Sequence, residues 1–422
     1  MNPIAVPFAA APAAAAPAVA RPAAAGARLD YLDATRAFAL VLGVVFHASL
    51  SFNPYFMGWA VQDISTSPLV SDFIQISHSF RMEAFFLLAG FFSYGLRQRQ
   101  GTRHFIVSRA LRLGLPFVAG WFLLRPLVVS GWLMGAASLR GDYDFWAGVR
   151  GGFDTLRTLP DGLFVGSHLW FLYYLMLATA LALLARAAVR LTAGNASALL
   201  PRVDRTVAWL AASPWALPVL VAPTAGALWF MRFWGMDTPD QSLQPNLPVI
   251  AIYGAFFGLG WLFGRQPGNI VRFGRLSVPN VILAVGSGWA VLRLSVIQGD
   301  PSHPHYGAAH VGFVVCYATL MWTLVALSLG ICRKLLDQPR PAVRYLADSS
   351  YWMYLVHLPV VVWLQVAVAE LDAPWWLKLA GVSVATIALA LLSYDLLVRS
   401  TWLGALLNGR RRERVLFRRR AH

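Results

Sequence analysis

Ten apolar segments, each long enough to cross a lipid bilayer, dominate this sequence. Hydrophobic residues fill 58% of the 422 positions, and the mean hydropathy is +0.58. A soluble fold could not bury that much apolar surface, and no segment alternates as a barrel strand does. The sequence therefore predicts an all-α polytopic membrane protein with about ten transmembrane helices in one bundle. The segments cover roughly residues 35–52, 79–97, 113–131, 168–186, 215–231, 247–264, 279–297, 309–331, 349–369 and 376–397.

The distribution of Lys and Arg orients these segments. If the N-terminus is cytosolic, the inner connections and tails carry 26 basic residues and the outer connections carry four. Such a bias marks the cytosolic side of a multi-pass membrane protein and predicts that both termini are cytosolic. The formal net charge of +16 therefore comes mainly from basic residues on the cytosolic side of the membrane. We expect these residues to meet the lipid bilayer, and we expect no nucleic-acid partner.

Composition divides the chain into three parts. Residues 1–28 are rich in Ala and Pro, and regularly spaced prolines forbid a helix, so we expect a disordered cytosolic tail. Residues 29–400 form the ten-helix membrane domain. Residues 401–422 are a basic cytosolic tail, which we expect to lie against anionic lipid.

The first apolar segment contains an arginine and a histidine eleven residues apart, Arg36 and His47. Eleven residues turn a helix by about 1100°, within ~20° of three full turns, so both side chains share one face. They lie roughly 16 Å apart along the axis. Ionisable groups at membrane depth usually line a functional cavity. The alternative is that Arg36 only marks the cytosolic end of the helix and His47 bonds a neighbouring helix.

Two more arginines, Arg109 and Arg112, precede the third segment on the same inner side. Spaced three apart, they share a helical face. Together with Arg36 they could form a phosphate-binding site, here called the phosphate clamp, because one guanidinium group can bind two phosphate oxygens at once. The positive-inside bias explains neighbouring arginines equally well.

Polar residues at the outer ends of other segments form a second candidate group. The second segment opens with His78, Arg81 and Glu83, the fourth with His168 and Trp170, and His357 lies midway along the ninth. Together with His47, they predict a site in the outer half of the membrane. Histidine is the usual general base near neutral pH, and Glu83 either orients it or pairs with Arg81. His78 and His168 also suit interfacial hydrogen bonding, and no metal-ligand spacing is present.

The long connection at 132–167 is the third candidate feature. It carries four aspartates beside aromatic residues, a mixture that suits sugar binding and equally an ordinary solvated loop.

These residues resemble the acyltransferase-3 family of integral membrane O-acyltransferases. The family carries Arg and His with ten residues between them in its first span, here Arg36 and His47, and an Arg-x-x-Arg motif, here Arg109 and Arg112. Segments around Phe46–Leu50 and Ser167–Leu172 resemble a branch directed at periplasmic glucans. One departure is Ala89-Gly90, where the family usually has Ser-Gly.

The resemblance implies a reaction. Succinyl-CoA or acetyl-CoA would be the co-substrate, with no bound cofactor, and its phosphates would contact Arg36, Arg109 and Arg112. His47, with Arg36 and Glu83 as further catalytic candidates, would act as general base or carry the acyl group. The glycan acceptor would meet His78, Arg81, His168, Trp170 and His357, and other glucan-synthesis proteins are possible partners.

A transporter or flippase of a small polar or lipid-linked solute is the alternative from another class. Transporters also bury ionisable pairs beside broken helices, which Pro218 and Pro223 suggest. Against it, no inverted repeat is visible. A non-catalytic assembly subunit is the third possibility.

Overall fold

A computed structural model describes residues 29–416, apart from 139–140, 142, 159–167, 193–195 and 233–234. Over these residues the chain is helical and contains no strand, which confirms the predicted fold class. The expected disordered tail at 1–28 lies outside the described residues. The helices are α1 (Asp30–Ser49), α2 (Pro68–His78), α3 (Arg81–Arg109), α4 (Leu115–Ser138), α5 (Phe145–Asp154), α6 (Trp170–Thr192), α7 (Ala196–Ala212), α8 (Ala216–Leu228), α9 (Leu247–Phe263), α10 (Gly268–Phe273), α11 (Val278–Gln298), α12 (Tyr306–Leu336), α13 (Pro341–Val368), α14 (Trp375–Ser393) and α15 (Trp402–Asn408).

Each of the ten predicted apolar segments coincides with one of these helices. Within the described residues, seven helical stretches are long and apolar enough to cross a membrane, and one of them, Pro68–Ser138, contains both the second and the third predicted segments. The fifth segment is α8, which forms with α7 a pair bent by 95°, an eighth candidate span. The sixth is α9, which is only 17 residues long. The orientation relative to the cytosol stays a prediction.

The joint between α3 and α4 differs from a straight helix. Gly101, with φ of 74°, interrupts α3, and a π-helical turn over Ala110–Gly114 joins α3 to α4. A π turn advances by less rotation per residue than an α-helix. The side chains of Arg109 and Arg112 are therefore farther apart around the helix axis than they would be in a regular α-helix.

Helix α1 lies at the centre of the bundle, where it packs against α3, α12, α13 and α14. Beside it, α3 and α9 cross at close range through two glycines. A Cβ on Gly90 would collide with the carbonyl of Phe257, and one on Gly260 would collide with that of Leu87. Small residues let helix backbones approach closely. This close contact fixes the position of α3, which packs against α1, relative to α9.

The connection predicted at 132–167 is largely helical where it is described. Helix α4 continues to Ser138, and α5 follows after Asp144, whose carboxylate accepts a hydrogen bond from the Ala147 amide at 3.0 Å. Asp144 is thus an N-cap.

Part of the basic C-terminal tail packs on the bundle. Helix α15 extends the bundle past residue 400, and the backbone amides of Val415 and Leu416 donate to the buried carboxylate of Asp395. Arg412 pairs with Asp348. Acidic partners inside the bundle, which the positive-inside bias cannot reveal, hold Arg412, Val415 and Leu416 against the protein, and the expected contact of the tail with lipid stays a prediction.

A candidate acyl-transfer site

A cavity of about 2410 Å³ runs through the bundle beside α1. Its lining includes Arg36 and His47, because the eleven-residue spacing puts both side chains on the face of α1 that borders it. Arginines line one end, and histidines and tryptophans line the other. The two groups that the sequence separated by depth are therefore connected by one continuous space.

The arginine end is built from four parts of the chain. Its basic residues are Arg36, Arg99, Arg109, Arg112, Arg344 and Arg410. The side chain of Arg36 donates to the carbonyl of Ala347 at 2.6 Å and lies 3.5 Å from Asp33. Arg109 donates to the hydroxyl of Ser93, while its Nε, although buried, has no partner in the described part of the chain. This concentration of guanidinium groups suits a ligand with several phosphates.

Three imidazoles lie together at the histidine end. The ring centroid of His357 is 5.3 Å from that of His47 and 5.5 Å from that of His168. All three side chains line the cavity, although they come from α1, α13 and the residue pair before α6. The convergence expected from the sequence is present, while the catalytic role of His47 and the acceptor-binding roles of His168 and His357 stay predictions.

Hydrogen bonds fix the tautomers of two of these histidines. Nδ1 of His357 lies 2.7 Å from the carbonyl of Tyr354, and Nε2 of His168 lies 2.9 Å from that of Leu355. Carbonyl oxygens only accept, so each of these nitrogens carries a proton. Nδ1 of His47 is buried without a hydrogen-bond partner among the described residues. Among the described residues, no protein group holds His47 in one tautomer, in contrast to His168 and His357.

Glu83 does not join this group. Its side chain is fully buried and does not line the cavity, and neither oxygen has a hydrogen-bond partner within the described residues. The predicted orienting contact between Glu83 and His47 is therefore absent. No ion pair closer than 4.0 Å joins Glu83 to Arg81 in that part of the chain either. The reason is helical geometry: positions 81 and 83 point to different faces of α3.

The remaining predicted residues do line the cavity. The guanidinium of Arg81 lies 3.9 Å from the ring centroid of Phe46. His78 is within 3.4 Å of the Tyr317 and Thr238 hydroxyls. Trp170 is buried and stacks on Tyr253 with centroids 5.7 Å apart.

Three residues at the histidine end have no signal in the sequence that singles them out. Trp59, in the connection after α1, stacks beside His47 with ring centroids 5.8 Å apart. Gln365 donates to the carbonyls of His47 and Ala48, both at 3.0 Å, and accepts from the indole of Trp59 at 2.9 Å. Gln75 lines the cavity with an unpartnered amide nitrogen.

At the rim of the same end, Asp240 accepts from Gln241 at 3.1 Å. Burial raises the pKa of the Asp240 carboxyl, while the hydrogen bond from Gln241 opposes that rise. In the described part of the chain, no group of three or more His, Cys, Asp or Glu side chains is arranged to hold a metal ion.

Comparison with known proteins agrees with this architecture. Glucans biosynthesis protein C of Escherichia coli O139:H28 (strain E24377A / ETEC) is 25% identical over 383 residues, which cover 90% of this chain and 94% of that protein. The protein of the same name from E. coli K12 / DH10B is 32% identical over 151 residues, or 36% of this chain and 37% of that relative. No solved structure matches.

The sequence profile of the acyltransferase-3 family, described as "Acyltransferase domain", matches residues 29–395. That range contains α1 to α14, the three clustered histidines and all but one of the arginines at the opposite end of the cavity. The chain therefore belongs to the acyltransferase-3 family and is a multi-pass membrane acyltransferase.

Proposed function

We propose that this acyltransferase moves a succinyl or acetyl group from cytosolic acyl-CoA to a hydroxyl of a periplasmic glucan or other surface glycan. The observation that carries the proposal is the single cavity joining an arginine-lined end to His47. Bacterial inner membrane placement follows from the same proposal, because donor and acceptor lie on opposite sides of that membrane.

The donor would enter at the arginine end. Its phosphates would contact Arg36, Arg109 and Arg112, with Arg344 and Arg410 lining the same opening. Helix rise puts His47 roughly 16 Å from Arg36. An extended pantetheine arm can span such a distance, so the thioester would reach His47 while the charged nucleotide stays at the opening.

His47 would act on the acceptor hydroxyl as a general base. It removes the hydroxyl proton as the sugar oxygen attacks the thioester carbonyl; the C–S bond then breaks, and the leaving thiolate regains a proton from the imidazolium. In the other route, His47 attacks the thioester itself and carries the acyl group to the sugar. Both routes transfer the acyl group without moving the CoA across the membrane.

The names of the relatives support the choice of acceptor. Two of them are called glucans biosynthesis protein C, and a glucan offers many hydroxyls to such a site. Other glucan-synthesis proteins are candidate partners for the same reason.

The broken helices that suggested a transporter from the sequence, α7 and α8, lie away from the cavity. Transporters bind their solutes where helices are interrupted. None of the described residues of α7 or α8, the pair bent by 95°, lines the cavity.

The proposal is tested on glucans purified from the periplasm of cells carrying the intact gene, a deletion or His47→Ala. We expect succinyl or acetyl substituents in the first strain and their loss in the other two, because removing a general base costs about 10²- to 10⁴-fold in rate. Membrane levels of the variant serve as the control. Equal substitution in all three strains would refute the proposed reaction.

A further inference from the structure

Two tryptophans form an aromatic wall beside His47. Trp59 stacks next to the imidazole at an interplanar angle of 21°, and Trp132 from α4 meets Trp59 edge-on with centroids 5.1 Å apart. Both indoles are half-buried and line the cavity. Indole faces pack well against flat ligands that have an apolar face and a polar edge. The C–H face of a pyranose ring is such a surface.

An unsatisfied amide lies at the same end of the cavity. Gln75 is only 9% exposed, its side chain lines the cavity, and its Nε2 has no hydrogen-bond partner among the described residues. Buried amide hydrogens normally have acceptors, because leaving such a hydrogen bond unmade costs free energy. A ligand hydroxyl would supply that acceptor.

From these observations we propose that Trp59, Trp132 and Gln75 form a sugar-binding subsite for the acceptor. The proposal rests on the proposed function for the identity of its occupant. A sugar ring packed on the indoles would present one hydroxyl to His47 and another to the amide of Gln75. Binding pockets typically combine an apolar wall with a few placed polar groups in this way.

The aromatic wall is held in place from two sides. Gln365 bonds the indole of Trp59 and, through its amide nitrogen, the backbone of α1 at His47. Farther along the same connection, Asp63 forms an ion pair of 2.7 Å with Lys378 of α14, and both side chains are almost completely buried. Trp59 and His47 are therefore positioned relative to each other before any ligand enters, which lowers the entropy cost of binding.

The subsite is tested by equilibrium binding of a fluorescently labelled linear glucan oligosaccharide to the purified full-length protein. The variants are Trp59→Leu, Gln75→Leu and, as a matched control, Trp363→Leu. Like Trp59, Trp363 has a half-buried indole that donates a hydrogen bond to a side chain, here the hydroxyl of Ser130. Unlike Trp59, it does not line the cavity. We expect the first two variants to weaken oligosaccharide binding about tenfold or more, and the control to bind as the wild type does.

Transfer kinetics with the same variants add a second readout. The KM for the glucan should rise in Trp59→Leu and Gln75→Leu, whereas the KM for acyl-CoA should not change. Wild-type oligosaccharide affinity in both variants, or an equal loss in the Trp363 control, would overturn the subsite. Because the binding assay needs no acyl donor, oligosaccharide that binds at this wall but is not acylated would refute the proposed function alone.

Discussion

Several buried polar atoms at the histidine end of the cavity lack hydrogen-bond partners in the part of the chain that is described. They include Nδ1 of His47, Nδ1 of His168, Nη1 of Arg81 and the amide nitrogen of Gln75. An unsatisfied buried group costs about 1–3 kcal/mol. Polar atoms of a ligand, or water in the cavity, would supply the missing partners.

Glu83 is the residue at which sequence reasoning and structure diverge. Its carboxyl is buried outside the cavity without a contact to His47. Glu83→Gln keeps the shape and removes the charge, so we predict a transfer rate within about threefold of the wild type, well short of the ~10²-fold loss expected for a group assisting the base. The measurement is kcat with saturating acyl-CoA and glucan.

Thermal unfolding of the same variant is the control. A charge-neutral side chain is cheaper to bury than a carboxylate, so Tm should not fall. A loss of kcat comparable to that of His47→Ala, with an unchanged Tm, would contradict this prediction and show that Glu83 takes part in catalysis.

At the scale of elements, the helices were the predictable part of this fold. Apolar length alone located all ten segments, and the period of α1 correctly put Arg36 and His47 on one cavity-facing side. The contacts between distant segments could not be predicted. Trp59 lies in a connection without periodicity, and its place beside His47 depends on Gln365, more than 300 residues away in sequence.

The C-terminal segment shows the same limit. Net charge predicts a tail on lipid, but it gives no sign of the hydrogen bonds to Asp348 and Asp395 that hold Arg412 and Val415 against the bundle. A Cβ on Gly409 would collide with the guanidinium of Arg112, so the chain passes directly beside the expected phosphate clamp. Local composition could not distinguish a docked basic segment from a solvated one.

Adjacent arginines in this segment give a matched pair. Both are exposed, but Arg410 lines the cavity and Arg411 does not. We predict that Arg410→Ala raises the KM for acyl-CoA about tenfold, the value of one charge-assisted contact of roughly 1.5 kcal/mol. Arg411→Ala should leave that KM unchanged, and neither variant should alter the KM for the glucan.

The two variants remove the same charge from neighbouring positions. Equal effects of both on the KM for acyl-CoA would mean that overall charge near the membrane, not a contact in the donor opening, attracts the donor.

At the scale of the whole molecule, the cavity is chemically asymmetric. One end concentrates guanidinium groups, and the other combines imidazoles, indoles and amides. Such a division suits two substrates that enter from opposite ends and meet at His47. The three clustered histidines come from parts of the chain that are far apart in sequence: α1, the residue pair before α6, and α13.

The most direct test of this account is a sided transfer assay in proteoliposomes. The protein is reconstituted, its orientation is determined by protease access to the C-terminal tail, and acyl-CoA and glucan are supplied on chosen sides. We predict acylated glucan only when acyl-CoA is on the arginine side and glucan is on the histidine side, with free CoA released on the donor side. Acylation that requires both substrates on the same side of the membrane would contradict the account.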